Sequence, residues 1–150
     1  MEGYTVERPS RDDIGELAAM QCATAMETEG LKLDPATVRK GVENLMNKPA
    51  RGFYLVAVCE GELVGCLQVI REWSDWRNGE IWSLHSMFVK PEHRRNGVFS
   101  ALAGEVRRQA LDGNVLLVRI PVLQGNEAGG ATCRALGFTE SGYHDYIFEP

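Results

Sequence analysis

The sequence predicts an α+β domain, a mixed and largely antiparallel sheet with helices on both faces, running β-α-α-β-β-β-α-β-α-β along the chain. Three observations predict it. Apolar residues repeat at helical spacing in some stretches, as in Val98, Leu102, Val106 and Ala110, and crowd into short β-branched and aromatic runs in others. Two turn signals, Glu60-Gly61 and Asn78-Gly79, join consecutive runs into hairpins, which makes part of the sheet antiparallel. Finally, 150 residues, 44% of them hydrophobic, supply one substantial core and therefore one domain.

The elements follow in order. Residues 4–7 alternate as a short strand, and Ser10 with Asp13 resembles a capping box opening a helix whose Ile14, Leu17, Ala18, Cys22 and Ala25 share one face. Gly30 ends that helix. Asp34 at the N-cap and Pro35 at the first helical position, where its missing N–H costs nothing, open a second helix through Val38, Val42 and Leu45 that stops near Asn47-Lys48-Pro49. Residues 53–59 and 63–70 form the first hairpin; the second strand continues through Trp73 and Trp76 to Asn78-Gly79 and returns as residues 80–89. A helix through Val98 and Ala110 ends near Gly113, its Arg107 and Arg108 placed to favour the dipole. Residues 115–122 read as a continuous apolar strand, 126–136 as a short helix stopped by Gly137, and 143–148 as a final strand.

Composition excludes several function classes. A formal charge of -5 gives no long-range attraction for polyanions, and the basic cluster Arg94-Arg95 is too small to bind nucleic acid or an acidic membrane. No apolar run approaches the ~20 residues of a membrane span, and the polar start (Glu2, Glu7, Arg8) has no signal-peptide core, so a cytoplasmic protein is expected. Cys22, Cys59, Cys66 and Cys133 lack metal-site spacing; free thiols and no metal are the expectation.

The chemistry-bearing segment is Met87-Phe88-Val89-Lys90-Pro91-Glu92-His93-Arg94-Arg95-Asn96-Gly97-Val98-Phe99, a strand, a polar loop and a helix start. Backbone N–H groups at a helix N-terminus lack internal partners and lie at the positive end of the dipole, so the segment suits an anion. Gly97 allows close approach, and Arg94 and Arg95 add charge. A nucleotide-binding P-loop is excluded because no Gly-Lys-Ser/Thr follows.

Val89-Lys90-Pro91 followed by Arg94-Arg95-Asn96-Gly97-Val98-Phe99 resembles the pyrophosphate motif of the GNAT N-acetyltransferase superfamily, Arg/Gln-x-x-Gly-x-Gly/Ala. Asn126 and then Ala135-Leu136-Gly137-Phe138 resemble that family's Asn-led helix closing in Gly-Phe, and the order of elements is similar along nearly the whole chain. The resemblance implies an acetyl-CoA cleft between two splayed strands. Its pyrophosphate would lie on the amides of Arg95, Asn96, Gly97, Val98, Phe99 and Ser100, its pantetheine along Met87, Phe88 and Val89 with a bond from Asn126. The implied reaction is direct acetyl transfer to a primary amine of a small molecule or peptide, without a metal. Phe99 departs from the family's Gly or Ala. Cys133 stands where the family commonly places a Tyr that protonates the leaving thiolate, which makes it either a substitute acid or a small packed side chain.

Two further readings concern the acceptor. Ser83, His85 and Met87 share one face by strand alternation, and the ordinary imidazole pKa of ~6.5 suits His85 as the base that the family's corresponding strand often carries. With a two-residue turn at Asn78-Gly79, Arg77 faces Glu80 and Glu72 falls opposite His85, ready to orient the ring. Glu27 is the alternative base. Trp73, Trp76 and Trp82, with Glu72, Asp75 and Glu80, form either an acceptor pocket or core and a homodimer surface. His93 and His144 read as surface residues, and Tyr143 or Tyr146 as stand-ins for the missing acid. The rival function is a non-catalytic acyl-CoA-binding module.

Overall fold

Five strands lie side by side in chain order in the computed structural model, which describes residues 3–150: β1 (Tyr4–Glu7), β2 (Gly52–Cys59), β3 (Glu62–Ser74), β4 (Gly79–Val89) and β5 (Leu117–Arg119). Glu2, part of the polar start, lies outside the described residues. The first four strands pair antiparallel, and β5 joins β4 in parallel. Four helices cover them: α1 (Ile14–Glu29), α2 (Pro35–Met46), α3 (Val98–Asp112) and α4 (Glu127–Ala135). The parallel pair needs a crossover, which α3 supplies.

Strand alternation divides the core in two. On one face Ile14, Leu17 and Met20 of α1 and Val42 of α2 pack against Tyr54, Val56 and Cys66. On the other, Val98, Leu102 and Val106 of α3 pack against Leu55, Leu67, Val69, Trp82 and Leu84. The helix ends are where the sequence places them. The Asp34 carboxylate accepts the Thr37 N–H at 3.1 Å, with Pro35 in the first turn, and Gly30 closes α1 in the left-handed region at φ 66°. Among the described residues no helix is long and apolar enough to cross a membrane. All four cysteines are free.

The two hairpins behave differently. Glu60 (φ 50°) and Gly61 (φ 81°) form the expected two-residue turn between Cys59 and Glu62. The second is not the turn that Asn78-Gly79 advertises, because Gly79 pairs with Ser74 and residues 75–78 make a four-residue loop. Glu80 therefore faces Trp73 rather than Arg77, and Glu72 faces Ile81 rather than His85. Two contacts support this register: Arg71 donates to the Glu80 carboxylate at 2.6 Å, and Trp82 Nε1 donates to the same oxygen at 2.5 Å. Gly79 serves close packing instead of turning, since a Cβ there would meet Leu116 Cγ at 2.7 Å.

The last third departs most from expectation. β5 spans only Leu117–Arg119 of the expected 115–122, and residues 143–148 form no strand. Strands need hydrogen-bonding neighbours: β5 has one on a single side over three residues, and the terminal segment has none among the described residues. Of the tryptophans, Trp82 is core, while Trp73 and Trp76 are exposed on the hairpin.

Candidate active site

The site is built around β4. Its pairing with β5 ends at Ser83 and Arg119, and β4 runs on along that edge to Val89 without a β5 partner. Beyond Val89 the chain passes through a short 3-10 turn (Pro91–His93) and the Arg94-Arg95-Asn96-Gly97 loop into α3. Arg95 (φ 63°) and Gly97 (φ 78°) both adopt the left-handed region, which curls the loop back over the start of the helix. The first α3 bond runs from Ala101 N–H to Gly97 O at 3.0 Å, leaving the amides of Val98, Phe99 and Ser100 without intrahelical acceptors. These donors fit an anionic diphosphate.

The two arginines of the loop differ in role. Arg94 donates to Val89 O at 2.7 Å and to both oxygens of Glu27 at 3.0 and 2.8 Å, so it braces the loop against α1. Lys90 does the same through Glu16 at 2.7 Å. Arg95 forms no ion pair among the described residues. His93 is held by Tyr4, whose hydroxyl lies 3.1 Å from Nδ1, while His144 is exposed.

A β-bulge shapes the middle of β4. Gln68 pairs with His85 and Cys66 with Phe88, so Ser86 and Met87 together oppose Leu67, with Ser86 at φ 53°. Alternation is reset there. Ser83 and His85 lie on the α1–α2 face as expected, but Met87 crosses to the α3 core and Phe88 takes its place. Beside the bulge is a cavity of about 280 Å³, lined by Gln21, Val38, Gly41, Val42, Tyr54, Gln68 and Ser86. Gln68 Nε2 donates to the Tyr54 hydroxyl at 3.1 Å, and Gln21 Nε2 lies 3.6 Å from the Cys66 sulfur. Burial pushes the Cys66 thiol up to about 12, so it stays protonated. No sequence signal marked Gln21, Tyr54, Gln68 or Ser86: a bulge in an apolar strand carries no composition cue, and the polar residues gather only when α1 packs on β2, β3 and β4.

His85 is half-buried. Burial chiefly holds its imidazole below the ordinary histidine value, with Glu72 acting to raise it and Arg119 to lower it. Glu72 is ion-paired with Arg119 across β4 instead of lying opposite His85, so it influences the ring through space and does not orient it by pairing. Asn126 caps α4, its Oδ1 accepting the Gly129 N–H at 2.9 Å, which leaves its Nδ2 free to donate. Cys133 sits part-buried on α4, and burial raises its thiol pKa. Neither side chain is hydrogen-bonded to His85 or to the loop among the described residues. Tyr143 and Tyr146, 83% and 95% exposed, stand outside the site.

β4 thus parts from β5 beyond Ser83, leads into a loop of unpaired amides, and carries an open pocket at its bulge. The model of the Acetyltransferase (GNAT) family matches residues 17–138, and the chain belongs to that family. A possible acetyltransferase from Clostridium difficile 630 is 31% identical, covers 99% of each chain and superposes with a TM-score of 0.93. A predicted acetyltransferase with acetyl-CoA from Clostridium acetobutylicum shares the fold at 12% identity, covering 97% of this chain and 96% of its own, with a TM-score of 0.79. The thialysine N-epsilon-acetyltransferase of Bos taurus is 35% identical over 81 residues, 51% of this chain and 47% of its own. The chain thus spans about half the length of that curated relative.

Proposed function

We propose that this protein transfers an acetyl group from acetyl-CoA directly to a primary amine of a small-molecule or peptide acceptor. The observation that carries the reading is the bulged strand β4, whose Ser86 lines the pocket with Gln68, the residue His85 pairs with, while its far end feeds the amide-rich start of α3. Acetyl-CoA supplies the thioester carbon that the amine attacks. The amides of Val98, Phe99 and Ser100, with Arg95, Asn96 and Gly97, hold its diphosphate; the backbone of Met87, Phe88 and Val89 and the Asn126 amide hold its arm. His85, kept neutral at neutral pH by burial, accepts the amine proton. Amides and hydroxyls line the acceptor cavity where carboxylates do not, so it recognises neutral polar parts of the acceptor by hydrogen bonds. Cys133 has a raised pKa, and its thiol is a weak acid for the leaving thiolate. Family membership and the likeness to a bovine thialysine acetyltransferase support this reading.

Free-thiol release from acetyl-CoA, followed over a panel of primary amines that includes thialysine, lysine peptides and small polyamines, tests it. Turnover above background with at least one amine is expected, together with a rise in Tm on adding acetyl-CoA. A Tm rise without turnover on any amine would favour the rival acyl-CoA-binding module, and the absence of both would refute the cleft assignment.

A further inference from the structure

One strand residue holds a conformation that strands do not favour. Among the described residues, five other than glycine have a positive φ; Glu60, Asn78, Arg95 and Asn114 lie in turns, while Ser86, at φ 53°, lies inside β4. The left-handed region disfavours a side chain, so a serine stays there only where its surroundings hold it. Ser86 also lines the pocket at the bulge together with Tyr54 and Gln68, so whatever fixes its backbone fixes a wall of that pocket.

The hold comes from β3 and α1. Cys66 stands on β3 at the end of the bulge, opposite Phe88, fully buried on the face that α1 covers. Its thiol donates to the Ser86 carbonyl at 3.7 Å, and Gln21 Nε2 donates to the same sulfur at 3.6 Å. The other side chains that α1 buries are apolar, namely Ile14, Leu17, Ala18 and Met20, so its one buried amide is aimed at this sulfur. A polar group is kept in such a place where it is bonded. Burial pushes the thiol up to about 12, while the Gln21 amide and the Phe88 N–H act to lower it. The sulfur therefore keeps its proton at neutral pH and has it to donate.

We propose that Cys66, backed by Gln21, is a positioning residue: its S–H holds the Ser86 carbonyl and thereby keeps the bulge, and the Ser86 side chain in the pocket, set for the amine acceptor. The assignment rests on the proposed reading of this pocket as the acceptor site. The thiol lines no part of the pocket itself and acts through Ser86.

Cys66→Ala and Cys66→Ser test this, because the two remove nearly the same volume and only serine keeps a donor. Backbone ¹³C shifts of Ser86 in the unliganded protein give the first readout. Cys66→Ala is expected to move the Ser86 Cα and Cβ shifts towards extended-strand values, and Cys66→Ser to leave them near wild type. Unmoved shifts in the alanine variant, or equal movement in both, overturn the proposal. Steady-state rates with an amine that the wild type accepts give the second readout. The amine KM is expected to rise roughly three- to tenfold in Cys66→Ala, the worth of one neutral hydrogen bond, and less in Cys66→Ser, with the acetyl-CoA KM within about twofold of wild type in both. An amine KM that stays put in Cys66→Ala, or rises equally in the two variants, shows a residue that only packs and overturns the positioning role. A wild type that turns over no amine removes the acceptor role together with the proposed function, and the Ser86 shifts alone then decide whether the thiol holds the bulge.

Discussion

His85 and Cys133 carry the sharpest consequences of side-chain environment. The His85→Gln variant is expected to lose roughly 10²- to 10⁴-fold in kcat/KM, the usual contribution of a positioned base, with acetyl-CoA affinity unchanged. Because burial holds the imidazole below its ordinary value, the acidic limb of the wild-type pH–rate profile should bend below pH ~6.5, and the variant should lack that bend. The same shift acts on stability: the unfolded chain binds the proton more tightly than the folded one, so stability is lost as pH falls through ~6.5 towards the folded pKa. Tm measured from pH 8 to 5.5 should therefore fall less steeply in His85→Gln. Wild-type rates in that variant would remove His85 from the chemistry. For Cys133→Ala the expectation is intact acetyl-CoA binding and a rate within a few-fold of wild type, since a part-buried thiol with a raised pKa gives up its proton reluctantly; a thousandfold loss in stopped-assay turnover would show it to be the acid.

At the level of elements, the start of α3 is where backbone conformation and charge can be separated. Gly97 sits at φ 78°, where any L side chain costs about 1–2 kcal/mol, so Gly97→Ala and Gly97→Glu should both lower the Tm of the unliganded protein. They should differ with ligand. Alanine keeps the donors and the acetyl-CoA-induced Tm rise, whereas glutamate sets a carboxylate where the diphosphate belongs and abolishes it; equal shifts in both variants would move the anion site elsewhere. The elements themselves were largely legible where chemistry is local. Asp34-Pro35, Gly30 and Glu60-Gly61 each mark their boundary through a cap or a left-handed backbone position that few residues accept. Asn78-Gly79 misled because the register of the second hairpin is set at a distance, by Glu80 meeting Arg71 and Trp82 and by Leu116 packing on Gly79. The conformation of the loop before α3 was legible for the same local reason as the caps. The pocket at the bulge was not, since Ser86 gains its place only through a bulge that depends on the partner strand.

For the molecule as a whole, burial is uneven, since every buried residue among those described precedes residue 111. The final strand expected from residues 143–148 does not form, because a segment of strand composition still needs a hydrogen-bonding neighbour. The two faces of the sheet have a different consequence. On the proposed reading the acceptor pocket lies among α1, α2 and the sheet face they cover, while the cofactor loop leads into α3 on the opposite face; β4 runs into both, and α1 also braces the loop through Glu16 and Glu27. Changes at Gln21 or Tyr54 should then alter the KM for the amine without moving that for acetyl-CoA, and should combine additively with changes at Gly97. A sheet divided in this way can exchange one clientele for another: drift at the pocket-facing positions of the first two helices redirects the acceptor, while the inherited means of holding the acyl donor survives as long as Glu16 and Glu27 keep their partners in the loop.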